Sequence, residues 1–362
     1  MKERFTKLMV RLARLEKEGS GLIDLSGQDF SGQDLSGWDL SGSDLSGANF
    51  SKANLRGANL SGCKADGANF EGSDLIEANL SESVFTNCNM RTVSLNRSTL
   101  SKGKFKSCDF YLADMRECIA NIGTLMRECD FHKANLEGSV LFGDILDCKL
   151  ESCFFKGAKF RSNLLLNSNF SGSDLEQAQI WQSKVHGCTF TQCRFEDVDI
   201  EGTTLKESNF EESDFGGGII QNSSMYDCLF NQAVGYSMFM RKVKIVECEF
   251  FESELMGNRL SEVSFNFCRG MNAKWMNTMF DRCSIDEDNQ FSTMNLGNSV
   301  FNKTYLGMSD FRKANFKGAI FDSSRLISAD VRGALFKDTE VKNGTVLPAN
   351  ITDKQKEGLI YY

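Results

Sequence analysis

The chain has very little proline and histidine, and each shortage excludes a class of structure or chemistry. Its 362 residues include one proline, Pro348, near the end. Proline cannot donate a backbone hydrogen bond, so its absence from everything before Pro348 favours an uninterrupted hydrogen-bonded backbone. The two histidines, His132 and His186, lie far apart in the sequence. They cannot form a catalytic triad or a metal site with each other if the chain is extended by regular repeats.

Long apolar runs are also missing. No stretch approaches the roughly 18–20 apolar residues that a membrane-spanning helix needs. The basic N-terminus lacks the apolar core of a secretory signal, and thirteen cysteines without such a signal suggest reduced thiols. We therefore expect a cytoplasmic protein with no membrane span. Secretion as an effector without a cleaved signal is the alternative.

The charge is acidic and unevenly spread. The net charge of −8 argues against direct binding to nucleic-acid phosphates. Residues 23–85 and 201–290 each carry about −7, whereas residues 1–22 and 291–362 are each about +3. An acidic surface can instead occupy a protein site that normally holds nucleic acid.

A leucine or phenylalanine recurs every fifth residue along almost the whole chain. From Asp24 the letters run DLSG-QDFSG-QDLSG-WDLSG-SDLSG. A period of five fits neither a helix nor a strand, but four units of five make one square turn of a solenoid. Relative to the apolar centre i, position i−2 is small and i+2 is often glycine, so i and i−2 should point inward and the other positions outward.

The register of the repeat predicts the domain organisation. The repeat covers residues 23–346 and makes about 16 coils, at about 4.8 Å per strand step. One-residue slips in the register fall near 116–123, 147–148 and 286–290. Residues 1–22 show helical apolar spacing and should form a capping helix over the first coil. Residues 347–362 should form a C-terminal cap, with Thr352 as the N-cap of a short helix over 353–358.

The tail Leu359–Tyr362 permits two interpretations. It can cover the last coil, or Tyr361 and Tyr362 can contact a partner or a second copy in a homodimer. Both interpretations stay open at this stage.

Residues twenty apart should stack inside the solenoid. The main aromatic column contains Phe30, Phe50, Phe70, Phe110, Phe131, Phe170, Phe190, Phe210, Phe230 and Phe250. A small-residue column two positions earlier holds most of the cysteines, which we interpret as small buried hydrophobes. Thiolates in a linear stack cannot converge on one tetrahedral metal ion, so we expect neither a metal nor a cofactor.

No constellation of residues indicates catalysis. The many carboxylates sit at outward turn positions, where they are usually solvated turn formers. No phosphate-binding or dinucleotide-binding glycine motif is present, and a filled solenoid has no substrate cavity. We therefore expect a protein that is not an enzyme.

Units such as SDLSG, ANFSK, ANLRG and ANLSG closely resemble the A(D/N)LXX motif of pentapeptide repeat proteins. The resemblance implies an all-β solenoid, namely a right-handed quadrilateral β-helix. It also implies a largely non-enzymatic role. One branch of the family protects DNA gyrase by imitating duplex DNA, and the C-x-F units, such as CDF and CEF, look like that branch. Another branch comprises effectors injected by bacterial pathogens.

Two hypotheses about function follow. The first is a non-enzymatic interaction rod, a scaffold or effector, that binds a host or bacterial protein through one outer face. It rests on an irregular segment, Gly216–Trp275, where glycines replace centres of the repeat. The second is an acidic duplex-DNA mimic that acts on DNA gyrase or another topoisomerase and presents a continuous negative stripe. The candidate surface residues for both are Asp24, Asp29, Asp34, Asp39, Asp44, Glu247, Glu249, Glu252, Glu254, Trp275, Tyr361 and Tyr362.

Overall fold

The computed structural model describes residues 23–362, which form an all-β parallel solenoid of about 15 turns. This agrees with the solenoid that the five-residue period predicts. The expected N-terminal helix over residues 1–22 lies outside the described residues. Two compact units are present, unit 1 (residues 23–144) and unit 2 (residues 145–362).

The strands are very short. Elsewhere in residues 23–362, consecutive turns are also joined by isolated β-bridges. Unit 1 contains β1 (Lys64–Asp66), β2 (Val84–Thr86), β3 (Lys104–Lys106), β4 (Ile119–Ala120), β5 (Leu125–Arg127) and β6 (Val140–Leu141), and β7 (Asp144–Leu146) follows at the division. The first half of unit 2 contains β8 (Lys159–Arg161), β9 (Leu164–Leu166), β10 (Gln179–Trp181), β11 (Lys184–His186), β12 (Asp199–Glu201), β13 (Thr204–Lys206), β14 (Ile219–Gln221), β15 (Ser224–Tyr226), β16 (Val234–Tyr236) and β17 (Phe239–Arg241). The remainder contains β18 (Lys244–Val246), β19 (Glu254–Met256), β20 (Arg259–Ser261), β21 (Ser264–Asn266), β22 (Met279–Asp281), β23 (Ser284–Asp286), β24 (Val300–Asn302), β25 (Ile320–Asp322), β26 (Thr339–Lys342), helix α1 (Asp353–Lys356) and β27 (Leu359–Tyr361).

Strands pair in parallel with the strand one turn away. In unit 1 the ladders are β1-β2-β3-β5 and β4-β6. In unit 2 one ladder runs β9-β11-β13-β15-β18-β21-β23, a second runs from β8 to β27, and β16 pairs with β19. The backbone of each turn is therefore hydrogen-bonded to the backbone of the next turn, as in a parallel sheet.

Each five-residue unit places two side chains inside and three outside. In the unit around Phe50, Ala48 and Phe50 are 1% and 0% exposed, whereas Asn49, Ser51 and Lys52 reach solvent. Small residues are required at i−2 because that side chain also points into the core beside the large centre.

The turns are joined by hydrogen bonds at the centre of each unit. The N–H of Phe50 donates to the carbonyl of Asn69 at 2.6 Å, and the N–H of Asn69 donates to the carbonyl of Ala48 at 2.9 Å. The aromatic side chains follow this spacing, because the ring centroids of Phe50 and Phe70 are 4.9 Å apart and nearly parallel. In unit 2 the rings of Phe190 and Phe210 are 5.0 Å apart. The predicted phenylalanine column is thus present in both units.

The corner after each centre needs a left-handed backbone. The N–H of Ala53 donates to the carbonyl of Phe50 at 3.0 Å, which closes a turn whose third residue, Lys52, has a φ of 56°. Glycine suits this position because it lacks a Cβ, and Gly57 has a φ of 61°. A side chain there costs roughly 1–2 kcal/mol, yet the structure uses many of them, including Leu112 with a φ of 55°.

The register changes in unit 1 at the end of β4. Thr99 pairs with Ile119 and Lys104 pairs with Leu125, so the offset rises from 20 to 21 residues. The extra residue lies in the turn before Leu125, where Gly123 has a φ of 92°. The position falls within the range 116–123 given by the repeat.

The second slip lies earlier than the sequence suggests. The repeat indicates residues 147–148, whereas the buried centres of the structure are Leu141 and then Ile145, only four residues later. The shortened unit therefore contains Gly143, where an added Cβ would lie 2.5 Å from the carbonyl oxygen of Thr124. Ile145 and Leu146 are both apolar, so hydrophobicity alone could not decide which of them points inward.

Near the C-terminal end, one slip agrees with the repeat and another was missed. Between the centres Ile285 and Phe291 the extra residue is accommodated by left-handed residues Glu287 and Asp288. A further slip follows Val341, because Val346 pairs with Arg325 and its side chain is 43% exposed. Val346 is therefore not the last centre, as the repeat suggested.

Helix α1 and β27 end the chain. Thr352 is the N-cap of α1, and its hydroxyl accepts the N–H of Gln355 while the Gln355 side chain accepts the N–H of Thr352. The helix spans Asp353–Lys356, which is shorter than the expected 353–358. After it, β27 adds to β26 as a parallel strand, so Leu359 lies beside Thr339.

The left-handed corners can be tested by a pair of reciprocal substitutions. We expect Gly57→Ala to lower the free energy of unfolding by about 1 kcal/mol, because nothing lies within 4 Å of the added Cβ and only the backbone is strained. Leu112→Gly should leave stability unchanged or higher, since relief of strain offsets the greater entropy of the unfolded chain. Urea denaturation of both variants measures this. A neutral Gly57→Ala would contradict the assignment of strain.

Candidate interaction surface

The outward positions of unit 2 form four faces. We name them by the buried centres of one turn in chain order: face 1 (Ile245), face 2 (Phe250), face 3 (Leu255) and face 4 (Leu260). Each name includes the residues one and two turns away along the same ladder and the two corners that flank it. Because every turn passes the faces in this order, faces 2 and 4 lie on opposite sides of unit 2.

The aspartates of the first coils of unit 1 are turn formers. The carboxylate of Asp34 accepts the N–H of Ser36 at 3.1 Å and the side-chain amide of Asn54 at 2.9 Å. The hydrogen bond from Ser36 lowers the pKa of Asp34 below its usual value, so the carboxylate stays ionised. The same local bond, with the same lowered pKa, occurs at Asp24, Asp29, Asp39 and Asp44.

These aspartates do not extend into a continuous negative stripe. Asp29 is followed one turn later by Asn49 and then by Asn69. Asp44 is followed by Lys64, whose positive charge lies on the next rung. The acid of the first coils is therefore spread around the turn and diluted along each column, and the stripe expected of a duplex-DNA mimic is absent from residues 23–144.

The predicted glutamates of unit 2 lie in one turn but on different faces. Glu247, Glu249 and Glu252 belong to face 2, while Glu254 belongs to face 3. Glu254 is paired with Lys274 at 2.6 Å, and this hydrogen bond lowers its pKa.

The glutamates of face 2 differ in whether a positive charge lies beside the carboxylate. Glu249 is paired with Arg269 at 3.2 Å, whereas Glu252 accepts a neutral hydrogen bond from Gln232 at 3.1 Å. Glu247 lies beside the carboxylate of Asp227, which raises the pKa of Glu247. Face 2 therefore keeps a negative field on both of its corners.

Trp275 is part of the core, so its prediction as a contact residue is wrong. Its side chain is 2% exposed, its ring meets Phe250 edge-on at 5.2 Å, and its indole N–H donates to the hydroxyl of Ser253 at 3.1 Å. At the preceding centre, Gly270, an added Cβ would lie 2.9 Å from the ring of Phe291. The space at this glycine centre is thus taken by Phe291 of the next turn, whose ring lies 6.0 Å from that of Trp275.

The segment Gly216–Trp275 as a whole is regular, in contrast to the prediction. It contains β14 to β21, paired at the usual offset of 20 residues. Gly235 is a glycine because an added Cβ would lie 2.4 Å from the sulfur of Met238. A cavity of about 10 Å³, lined by Met238, Met240, Trp275 and their neighbours, is no larger than one water molecule needs. This segment therefore offers no irregular patch and no substrate pocket.

The buried position of Trp275 can be tested by truncation. We expect Trp275→Ala to lower the free energy of unfolding by roughly 3–5 kcal/mol, because it leaves a cavity against Phe250 and removes the hydrogen bond from the indole to the Ser253 hydroxyl. Phe267→Ala is the matched control, since Phe267 is an aromatic residue eight positions earlier in the same turn that is 46% exposed. Chemical denaturation measures both, and equal small losses would contradict the core assignment of Trp275.

The cysteines are buried thiols, as the repeat position predicts. All thirteen are buried. Burial raises the pKa of the Cys63 and Cys193 thiols to about 12. Both thiols donate to backbone carbonyls of the preceding turn, Cys63 to Leu40 at 2.9 Å and Cys193 to Phe170 at 3.0 Å. Nucleophilic chemistry needs the thiolate, so these positions are structural.

Thiol chemistry provides a test of this assignment. We expect the native protein to react with an aromatic disulfide reagent at least about a hundredfold more slowly than the denatured chain at neutral pH, because every thiol is buried. All thirteen thiols should react after denaturation in guanidinium. One fast-reacting thiol in the native state would reveal an exposed or activated cysteine and contradict the burial.

Tyr361 and Tyr362 lie at the open edge of β27. Their side chains are 60% and 75% exposed, and the Lys342 ammonium lies 5.0 Å from the ring centroid of Tyr362. The tail covers the last turn through strand pairing, as Ile360 beside Glu340 shows. The two aromatic rings nevertheless remain available to a partner, so neither sequence-based interpretation excludes the other.

Several surface residues were not found from the sequence. On face 2, Phe267 and Met271 are each 46% exposed. On face 4, Arg241, Lys242 and Arg259 form no ion pair with any residue in the range 23–362. The sequence could have indicated these residues through their spacing, because residues about twenty positions apart share a face.

Residues 23–362 contain neither a metal-binding cluster nor a membrane-spanning helix. Among the residues that the structure describes, no group of three or more histidine, cysteine or acidic side chains is arranged to hold a metal ion. No helix within residues 23–362 has the length and apolar character needed to cross a membrane.

Two family models together match more than half of the sequence. The model described as pentapeptide repeats matches residues 23–62, 53–91, 78–116 and 295–338. The model described as pentapeptide repeat region matches residues 143–218. No curated protein sequence matches the chain.

Similar solved structures share the repeat. QnrB1, a plasmid-mediated fluoroquinolone resistance protein, is 16% identical over 58% of this chain and 92% of its own, with a TM-score of 0.29. HetL of Nostoc sp. strain PCC 7120, involved in regulation of heterocyst differentiation, is 17% identical over 94% and 97%, with a TM-score of 0.12. A protein of the Arabidopsis thaliana thylakoid lumen is 28% identical over 32% and 66%, with a TM-score of 0.15.

Proposed function

Because the chain belongs to the pentapeptide repeat family, we propose that it is a non-enzymatic protein-interaction module. As a scaffold or effector, it binds a protein partner through one outer face. The observation that carries this proposal is the filled interior of the solenoid, where the centres are almost fully buried and the described cavity is about 10 Å³. A ligand can therefore be recognised only by the outward positions, and these differ from face to face.

The alternative function is an acidic duplex-DNA mimic that modulates or protects DNA gyrase or another topoisomerase. Face 2 of unit 2 favours it, because carboxylates recur there on consecutive turns. The diluted columns of residues 23–144 argue against it, since duplex DNA carries a charge about every 1.7 Å along its axis. The interaction module is thus the better-supported function.

A comparison of face variants tests the proposal. We expect purified full-length protein to capture a partner that is lost when one face is altered and kept when the opposite face is altered. The matched pair is Glu247→Gln with Glu252→Gln on face 2, and Arg241→Gln with Arg259→Gln on face 4. Capture followed by mass spectrometry identifies the partner, and calorimetry with the purified partner measures its affinity. A partner that both variants retain fully would contradict binding through either face.

The gyrase alternative has its own test. A DNA mimic would inhibit supercoiling by purified gyrase, or protect the enzyme from a quinolone, in a manner that Glu247→Gln with Glu252→Gln weakens. Unchanged supercoiling and unchanged quinolone sensitivity with the protein in excess would remove this alternative.

A homodimer through the C-terminal tail is proposed as a further partner contact. It is supported by the outer edge of β27, which pairs with no strand of residues 23–362 besides β26 on its inner side, and by the exposed rings of Tyr361 and Tyr362. Parallel strand edges and exposed aromatic residues are common elements of interfaces.

Light scattering coupled to size exclusion tests the dimer. We expect a dimer that persists at high salt, because its contacts are backbone hydrogen bonds and apolar rings, and that dissociates in the variant Tyr361→Ser with Tyr362→Ser. Tyr236→Ser, at an exposed tyrosine of another face, is the control. A monomer for the unmodified chain would contradict the dimer.

We also propose a cytoplasmic location. It is supported by the buried thiols, which a reducing compartment suits.

A further inference from the structure

Face 2 of unit 2 carries carboxylates on four of its five turns, and the turn of Gly270 carries Arg269 instead. Two of its carboxylates are paired with bases, Glu249 with Arg269 at 3.2 Å and Glu207 with Lys206 at 2.9 Å. All of its carboxylates lie on the two corners or on the sheet between them. They are Glu207, Glu211, Glu212, Asp227, Glu247, Glu249, Glu252, Glu287 and Asp288. Asn231 donates to Glu211 at 3.0 Å and Gln232 donates to Glu252 at 3.1 Å, so these neighbours orient the carboxylates without cancelling their charge.

Face 4, on the opposite side of the same turns, is positive. It carries Arg241 and Lys242 in one turn, Arg259 in the next and Lys303 two turns later. None of the four is in an ion pair with another residue of the described chain. Arg282 also lies there, but it is held by Asp281 at 3.1 Å and by Glu262 at 3.6 Å.

Both faces also expose apolar side chains among the charges. On face 2, Phe267 and Met271 are exposed at the two corners of one turn, on either side of Arg269. On face 4, the column Ile219, Phe239, Arg259, Met279 and Val300 is largely apolar, and Ile219 is 39% exposed. An apolar patch rimmed by charge is the usual composition of a protein–protein contact.

We propose that face 2 of one copy docks onto face 4 of a second copy, with carboxylates against guanidinium and ammonium groups and with Phe267 and Met271 against the apolar column. The contact rests on the proposed function only in that it uses outer faces for protein binding. Because the two patches are different, the interface is heterologous and leaves one of each patch free. Association can therefore continue laterally beyond a dimer.

The spacing of the charges favours a second copy over other basic partners. Side chains on both faces recur with the strand spacing of about 4.8 Å, so the two rows stay in register over all five turns. A basic helix repeats every 5.4 Å or so per turn and falls out of step by about half a rung over that length. Only a surface with the same rung spacing meets every row of carboxylates.

The size of the patches predicts a weak contact. Five turns at about 4.8 Å and a face of about five residues at about 3.3 Å each give roughly 400 Å² per copy. The total of about 800 Å² is below the roughly 1,200 Å² of stable complexes, so we expect a Kd in the micromolar range or weaker. Exposed charges are screened within about 8 Å at physiological ionic strength, so salt should weaken the contact.

Sedimentation of the full-length chain across a concentration series tests the proposal. It is carried out in the background Tyr361→Ser with Tyr362→Ser, so that a C-terminal dimer does not contribute. We expect the average mass to rise with concentration at low salt and to fall at high salt. The variant Arg241→Glu with Arg259→Glu, and separately Glu247→Lys with Glu252→Lys, should each weaken association at least about tenfold.

A charge exchange makes the test specific. Mixing the two variants restores complementary faces, so the mixture should associate although neither variant does so alone. Lys317→Glu with Lys337→Glu, on turns outside the four named faces, changes the net charge as much as the face 4 variant does, and it should associate like the parent. A monomeric parent at low salt, a salt-independent association, or a mixture that stays monomeric would each overturn the proposal.

The outcome is distinguishable from failure of the proposed function. If face 2 captures a different protein while the chain stays monomeric at low salt, the interaction module stands and the second copy is wrong. If the chain self-associates through the two faces but captures nothing else, the present inference stands and the scaffold or effector function loses its support.

Discussion

Backbone hydrogen bonds between residues about twenty positions apart hold every other feature of the two units in place. The bond from the N–H of Phe50 to the carbonyl of Asn69 is repeated at nearly every centre. It fixes the distance between turns, and the phenylalanine rings stack because their backbones are already at that distance. The same bonds place outward residues in columns, which decides which charges meet.

Much of the fold could be predicted because the inward positions obey a simple rule. Phe50 and Ala48 are buried as a large and a small residue must be, and Thr352 caps a helix as its side chain permits. The prediction failed where two residues fitted the same rule. Ile145 and Leu146 are equally apolar, and only the close approach of Gly143 to Thr124 shows that the turn is shortened before Ile145.

The candidate surface was much harder to predict, because outward positions carry no such rule. Trp275 stood out by its type, yet its ring packs against Phe250 and Phe265 inside the core. The acids stood out by their number, but Glu249 is neutralised by Arg269, twenty residues away. The basic surface of face 4 was not predicted, because acidic residues of other faces separate its basic residues in the sequence.

The left-handed corners show that the chain accepts local strain to keep this frame. Residues such as Lys52 and Leu112 adopt a conformation that glycine would adopt at less cost. Packing inside and pairing between turns must outweigh that cost. Corner side chains can therefore be chosen for what they present to solvent, as Glu247 and Phe267 are on face 2.

The twenty-residue step also determines how unit 2 could change in length. Adding or removing one complete turn would keep each later residue on its own side, so the acidic and basic faces would simply grow or shrink. A change of ten residues would preserve the buried pattern just as well, but it would carry every later acidic residue to the basic side. Fold and surface polarity thus have different tolerances to insertion, and a stable relative of this chain need not share its partners.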